Sequence, residues 1–213
     1  MEQEPKDGLL ERMYSTHHKT GGRLGQSFLE ARRAEIFSSW IGSGKDVLDL
    51  GCRDGTLTRH YIAGNRLTGC DIDRDALDTA SRNYGIATRQ VDLNSALPFA
   101  DASFDTVVMA ETIEHLPYPK ITLTEIRRVL RDGGLFIGNA PIAYHLKNRL
   151  RVLRGKKLDY DPTHCQYFSY DSLSELLGSF FSVEETVVLK GERWARFSRS
   201  LFARNVAFRC RKK

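Results

Sequence analysis

Between Asp46 and Gly138 the chain switches five times from a short apolar run to a helix-patterned segment, and nothing else in the sequence restricts its fold as much. Asp46 to Leu50 reads as a strand, followed by a glycine turn at 51–55 and a helix that turns Leu57, Tyr61 and Ile62 inward. Arg66 to Asp71 is a second strand and Arg74 to Asn83 a second helix, while Ala87 to Val91 and Phe104 to Met109 are the third and fourth strands. Pro119 opens a helix with Ile121, Leu123, Ile126, Val129 and Leu130 on one face, and Gly133-Gly134 closes it before a strand from Leu135 to Gly138. Strands separated by crossover helices run parallel and are covered on both faces, which predicts an α/β, Rossmann-like doubly wound sheet. Phe181 to Leu189 and Phe202 to Cys210 instead alternate apolar and polar residues, so the mostly parallel sheet is expected to end in an antiparallel hairpin.

The flanks add less. Residues 1–25 are polar, carry Thr20, Gly21, Gly22 and Gly25, and are expected to be a mobile arm, leaving a single domain over 26–213. From Ser27 to Ile41, Phe28, Ala31, Ile36, Phe37 and Trp40 form a helical stripe. A hydrophobic content of 41% excludes disorder as the main state. With no run of apolar residues long enough to span a membrane and no signal-peptide pattern at Met1–Glu4, the expected compartment is the cytoplasm. Cys52, Cys70, Cys165 and Cys210 show no CxxC or Cys/His ligand spacing, so packed thiols are expected, with no metal site and no disulfide framework.

Charge is unevenly distributed. Residues 1–143 hold 17 Lys and Arg against 20 Asp and Glu, whereas residues 144–213 hold 15 against 7. Much of that excess lies in an insertion at about 142–161, where Ile142, Leu146, Leu150 and Leu153 make an apolar stripe among Lys147, Arg149, Arg151, Arg154, Lys156 and Lys157. A basic amphipathic helix of this kind serves as a substrate lid, a peripheral membrane contact or an oligomer contact. It is expected to recruit an anionic small molecule or a lipid head group from near the mouth of the pocket.

A doubly wound sheet binds ligands outside the carboxyl ends of its strands. After the first strand comes Asp49-Leu50-Gly51-Cys52-Arg53-Asp54-Gly55, a glycine turn that fails the dinucleotide spacing because Arg53 and Thr56 stand where glycines are needed. Asp71-Ile72 follows the second strand, with the carboxylate placed to accept bonds from two ribose hydroxyls. Asp92-Leu93 follows the third, an acceptor for an exocyclic adenine amine, and Glu111 and then Glu114-His115 follow the fourth.

In Val47-Leu48-Asp49-Leu50-Gly51-Cys52 with Gly55, in Asp71, in Val91-Asp92-Leu93, in Leu97-Pro98-Phe99 with Ser103-Phe104-Asp105, and in Glu125 to Gly134, the sequence resembles the class I S-adenosylmethionine-dependent methyltransferases. The likeness spans roughly residues 36 to 210 and is nearest the small-molecule branch that includes ubiquinone-biosynthesis methyltransferases and the methionine-biosynthesis W protein. It implies S-adenosylmethionine as cofactor, S-adenosylhomocysteine as product, and Asp49, Gly51, Cys52, Arg53, Gly55, Asp71, Ile72, Asp92, Leu93 and Glu111 as cofactor-binding residues. Arg53 departs from the family, which usually has glycine there; its guanidinium either pairs with the methionine carboxylate or crowds the ligand. His115 and His164 are the candidate bases for an acceptor that starts protonated. The implied reaction moves a methyl group to an oxygen, nitrogen or carbon of a small or lipid-linked acidic molecule. The alternatives are RNA methylation and a non-catalytic, cofactor-binding activator of another enzyme. Glu111-Thr112-Ile113-Glu114 is not the Asn/Asp-Pro-Pro-aromatic run of nucleobase methyltransferases, which argues against a nucleic-acid partner.

Overall fold

The computed structural model describes residues 6–158 and 161–213; positions 1–5 of the expected arm and 159–160 of the expected insertion lie outside the described residues. Seven strands form one sheet in the order β3-β2-β1-β4-β5-β7-β6. They are β1 Asp46–Leu50, β2 Arg66–Asp71, β3 Ala87–Gln90, β4 Phe104–Ala110, β5 Leu130–Pro141, β6 Phe181–Lys190 and β7 Asn205–Lys212. The first five pair in parallel, and β7 runs antiparallel to both β5 and β6. The molecule is thus the α/β Rossmann-like sheet with a terminal antiparallel hairpin. Because β7 slots between β5 and β6, its Val206, Ala207, Phe208 and Cys210 are buried, while much of β6 stays open at the edge.

Neighbouring residues on the central strands go to opposite faces, and both faces are covered. Leu48, Val107, Phe136 and Phe208 pack with Leu123 and Ile126 of α4 (Pro119–Val129) and Leu173 and Leu177 of α6 (Tyr170–Phe180). Val47, Val108, Ile137 and Ala207 pack with Phe37 and Ile41 of α2 (Glu30–Ile41) and Ala80 of α3 (Arg74–Tyr84). Each such side chain contributes roughly 1.5–3 kcal/mol by leaving water.

Several local readings change. Residues 6–20, inside the expected arm, form helix α1 (Lys6–Thr20), whose polar surface is held by ion pairs to the body of the fold, with no apolar stripe of its own to announce it. The helix expected after Gly55 shortens to a 3-10 turn, Thr58–Tyr61, because Thr58 and Tyr61 both bond Asp49 below them. In the basic insertion the helix is α5 (Leu146–Leu153); Ile142 is fully buried, but Leu150 and Leu153 are exposed. Two short helices, α7 (Glu192–Ala195) and α8 (Arg199–Phe202), complete the link between β6 and β7. Chain order reverses where β1 lies between β2 and β4, and a crevice therefore opens above Gly51 and Glu111.

Candidate active site

A cavity of about 500 Å³ occupies that crevice, within the range usual for ligand pockets. Its floor is made by the strand ends. Gly51 has φ of 80°, and any Cβ there would collide with Thr112, so glycine is what lets the β1 and β4 turns meet. Asp49, Gly51, Cys52, Arg53, Asp71, Ile72, Asp92, Leu93 and Glu111 all border the cavity, as does His115. Gly55 does not; its Cβ would press on Ile86 and Tyr84, so it serves the packing beneath.

The floor carboxylates are held by backbone and by neighbours. Asp71 accepts bonds from the Arg53 N–H at 2.9 Å and the Asp73 N–H at 3.0 Å, although burial raises its pKa. Asp49 accepts from Thr58 and from Tyr61 at 2.6 Å, and burial pushes it up to about 6. Asp92 accepts from the backbone N–H of Asn94 at 2.9 Å. Glu111, at φ of 52°, accepts from the amides of Asn139 and Asn205; burial raises its pKa, against the pull of the Arg33 guanidinium. Arg53 also has a positive φ, 51°, so two side chains adopt the left-handed backbone at this one site, a strain that costs of order 1–3 kcal/mol each. The Arg53 guanidinium meets Asp54 and the carbonyl oxygen of Gln26.

A cover closes over this floor. Leu10, Tyr14, His17 and His18 of α1 border the cavity, and the chain that follows adds Arg23, Gln26 and Phe28. Among the ties that fasten it are His18 to Asp73 at 2.8 Å, Lys19 to Asp75 at 2.7 Å, the Gly25 N–H to Asp54 at 2.6 Å, and Arg23 with His17 to Asp161. Asp161 is pushed up by burial but held down more strongly, to about 2, by two bonds from Thr163 and by Arg23 and His17.

On the β4 side the segment 161–166 folds against the turn after β4, because the Cys165 and Gln166 N–H groups both donate to the Glu114 carbonyl oxygen at 2.9 Å. His164 thereby lies edge-on to His115, with ring centroids 4.7 Å apart, but does not itself border the cavity. Burial, and then His164, lowers the pKa of His115 to about 4, and burial lowers that of His164. Glu114 is buried, and burial followed by Glu111 raises its pKa well above the carboxylate range. The sequence reading missed Arg33, which is 2% exposed and bonded to Asn139 and Ser27 at the cavity wall. Its signal was there: Arg33 lies one turn before Phe37, on the apolar stripe of α2.

The basic insertion is not where the sequence reading put it. No described residue of 142–158 borders the main cavity. Lys147, Arg151, Arg154 and Lys156 instead line a separate groove with Trp194, Phe202 and Arg204, because α5 packs toward the β6–β7 link and not over the strand ends.

Residues 48–138 match the family described as "Methyltransferase domain". A Mycolicibacterium smegmatis protein named "Probable S-adenosylmethionine-dependent methyltransferase" is 30% identical over 190 residues, covering 86% of this chain and 71% of that one. The chain belongs to the S-adenosylmethionine-dependent methyltransferases. A fatty-acid O-methyltransferase from the same organism is 35% identical over 44% of this chain and 36% of its own. A ubiquinone biosynthesis O-methyltransferase of Aromatoleum aromaticum is 36% identical over 43% and 42%. The chain thus spans less than half the length of these two relatives. Among solved structures, a methyltransferase of Methanosarcina mazei superposes with a TM-score of 0.65 at 22% identity, over 83% of this chain and 96% of that one. The [4+2]-cyclase SpnF superposes at 0.73 with 16% identity, over 98% and 97%. These two share the fold alone.

S-adenosylmethionine is the methyltransferase's cofactor, and the floor suits it. The Gly51 turn gives close backbone approach, and the Asp71 carboxylate, fixed by two N–H donors, lines the same cavity as Asp92. No helix among the described residues is long and apolar enough to cross a membrane.

Proposed function

We propose that this methyltransferase methylates an oxygen of a small or lipid-linked acidic molecule, with Asp71 and Asp92 holding the nucleoside of the cofactor. The bound sulfonium supplies an electrophilic methyl group; the protein's task is position and the exclusion of water. The observation that carries the acceptor reading is that His115 borders the same cavity as His17, Arg23 and Arg33. An ionised acceptor oxygen finds guanidinium charge there, and a hydroxyl finds in His115 an imidazole that stays neutral at pH 7 and can take its proton. His164 acts by positioning His115. The names of two relatives, a fatty-acid and a ubiquinone-biosynthesis O-methyltransferase, support an oxygen acceptor.

The test is transfer of labelled methyl from the cofactor to long-chain fatty acids, phenolic lipids and bulk RNA side by side. Label extracted into organic solvent as an ester or ether is the expected result. Label on RNA alone, or none on any pool, overturns the reading.

A further inference from the structure

The surroundings of Glu114 leave both of its carboxylate oxygens unaccounted for. Its side chain is 1% exposed, and neither carboxylate oxygen has a hydrogen-bond partner. Arg33 of α2 bonds Asn139 and Ser27 through its two terminal nitrogens and leaves its Nε–H unpartnered, so its charge acts on Glu114 without a hydrogen bond between them. A buried carboxylate in that condition is costly unless it takes up a proton or a cation meets it.

Two imidazoles stand beside it. Glu114, His115 and His164 each offer a ligand atom, and all of these atoms lie within 4.8 Å of one another. Thr163 fixes which nitrogen His115 presents. The Thr163 hydroxyl donates its proton to Asp161 at 2.6 Å, so toward His115 Nδ1, at 2.9 Å, it accepts, and the Thr163 carbonyl at 3.2 Å accepts as well. Nδ1 therefore carries the proton and Nε2 keeps its lone pair. A ring nitrogen fixed in this way by an outer partner, itself bonded to a carboxylate, is how metal-binding histidines are oriented. Segment 161–166 is locked to the Glu114 carbonyl through two backbone bonds, so the histidine it carries is held in place whether or not an ion is bound.

We propose that Glu114, His115 and His164 bind one divalent first-row transition-metal ion at the β4 end of the cavity. Two imidazoles and a carboxylate suit zinc, iron or manganese, and they leave coordination positions open; magnesium and calcium prefer sets made of oxygen alone. Ligand atoms about 2.0–2.2 Å from such an ion sit roughly 3–3.5 Å apart, so the three must draw together by about an ångström, a matter of side-chain rotation. His115 borders the cavity, which places the open positions toward the acceptor. With an ion bound, Nε2 of His115 would be a ligand and take no proton, and the ion would instead favour the ionised form of the acceptor oxygen; that role rests on the oxygen-acceptor reading above, and the site itself does not.

The experiment uses the full chain, stripped of metal by dialysis against a chelator, with Co²⁺ as the spectroscopic probe and Zn²⁺ in calorimetry. Co²⁺ should produce ligand-field absorption that saturates at one ion per chain and is displaced by Zn²⁺. Glu114→Gln, isosteric and unable to ionise, and His164→Asn, on a surface segment, should each weaken binding at least tenfold. Thr163→Val, which removes the outer partner of His115, should weaken it by about 10–100-fold. Asp71→Ala should lose cofactor and keep the ion, which separates failure of this site from failure of the methyltransferase reading. Absence of the absorption, or absorption indifferent to Glu114→Gln and His164→Asn, overturns the site. Removal of Zn²⁺ should raise the KM for the acceptor and leave cofactor affinity unchanged; the reverse pattern overturns the acceptor-holding role.

Discussion

The floor and the cover of the cavity are built from opposite chemistry, and burial treats them alike. The floor is acidic, and burial raises the pKa values of Asp49, Asp71 and Glu111. The cover and the β4 side hold imidazoles, and burial lowers those of His17, His115 and His164. Both halves are thus pushed toward their neutral forms, acids by gaining protons and imidazoles by losing them.

Arg33 joins the halves, since it bonds Ser27 of the cover and Asn139 of the floor and attracts Glu111. Its replacement should have the largest effect of any change considered. Arg33→Met leaves Glu111 short of its compensating charge, and loss of one partner of a buried pair costs roughly 3–5 kcal/mol. Urea unfolding should show that loss, and Arg33→Met combined with Glu111→Gln should regain most of it. If the double variant is no more stable than the single one, Arg33 is packing and not a charge partner.

Next in size is the floor's hold on the cofactor. Asp71→Ala removes charge-assisted hydrogen bonds worth roughly 1.5–3 kcal/mol each, so calorimetry should find S-adenosylhomocysteine bound at least about tenfold more weakly. Unchanged affinity would place the ribose elsewhere in the cavity.

That the floor was legible and the cover was not has a physical cause. Strands β1 to β4 and the acids that end them are written locally: apolar runs of fixed length, a glycine turn, then a carboxylate, with each residue's role set within a few positions of itself. The terminal hairpin was legible for the same reason, in the period-two pattern of β6 and β7. The cover is written at long range. Helix α1 is held at its C-terminal end by His18 with Asp73 and by Lys19 with Asp75, partners more than fifty residues away, and its own sequence is polar enough to look unstructured. Glu114, His115 and His164 become neighbours only because two backbone N–H groups of a distant loop choose the Glu114 carbonyl. The position of α5 was misplaced because its amphipathic pattern says which residues share a face and nothing about what that face meets.

The two halves should also separate by pH. His115 has an ordinary pKa of 6.5 and about 4 in the fold. Below pH 6.5 the unfolded chain takes up a proton that the folded chain refuses, so this contribution to stability is complete above 6.5 and is lost as pH falls toward 4. Asp49 works the other way: at about 6 in the fold against an ordinary 3.8, it takes its proton early, and stability rises as pH falls from 6 toward 3.8. One proton changes stability by at most about 1.4 kcal/mol per pH unit. In metal-free protein, His115→Gln should therefore stabilise the fold increasingly from pH 6.5 to pH 4.5 relative to the native chain. A difference that stays flat over that range would show that His115 is not held neutral.

The smallest effect is expected outside the cavity, at the groove between α5 and the β6–β7 link. Leu150 is 41% exposed and Trp194 54%, and both line the groove with Arg154 and Lys156. Apolar side chains turned outward among cations are the composition of a surface that meets anionic lipid, and a Lys or Arg near such a surface contributes about 1 kcal/mol. Vesicles containing phosphatidylglycerol should bind the protein where neutral vesicles do not. Arg154→Glu with Lys156→Glu should weaken that binding, and so should raised salt, because the Debye length of about 8 Å at 0.15 M already screens exposed charges. Cofactor affinity, set by directed bonds inside the crevice, should be unmoved by either change. If the charge-reversed protein binds vesicles as well as the native chain does, the groove's cations are a solvated face, and an acidic acceptor would have to be recruited by the cavity's own Arg23 and Arg33.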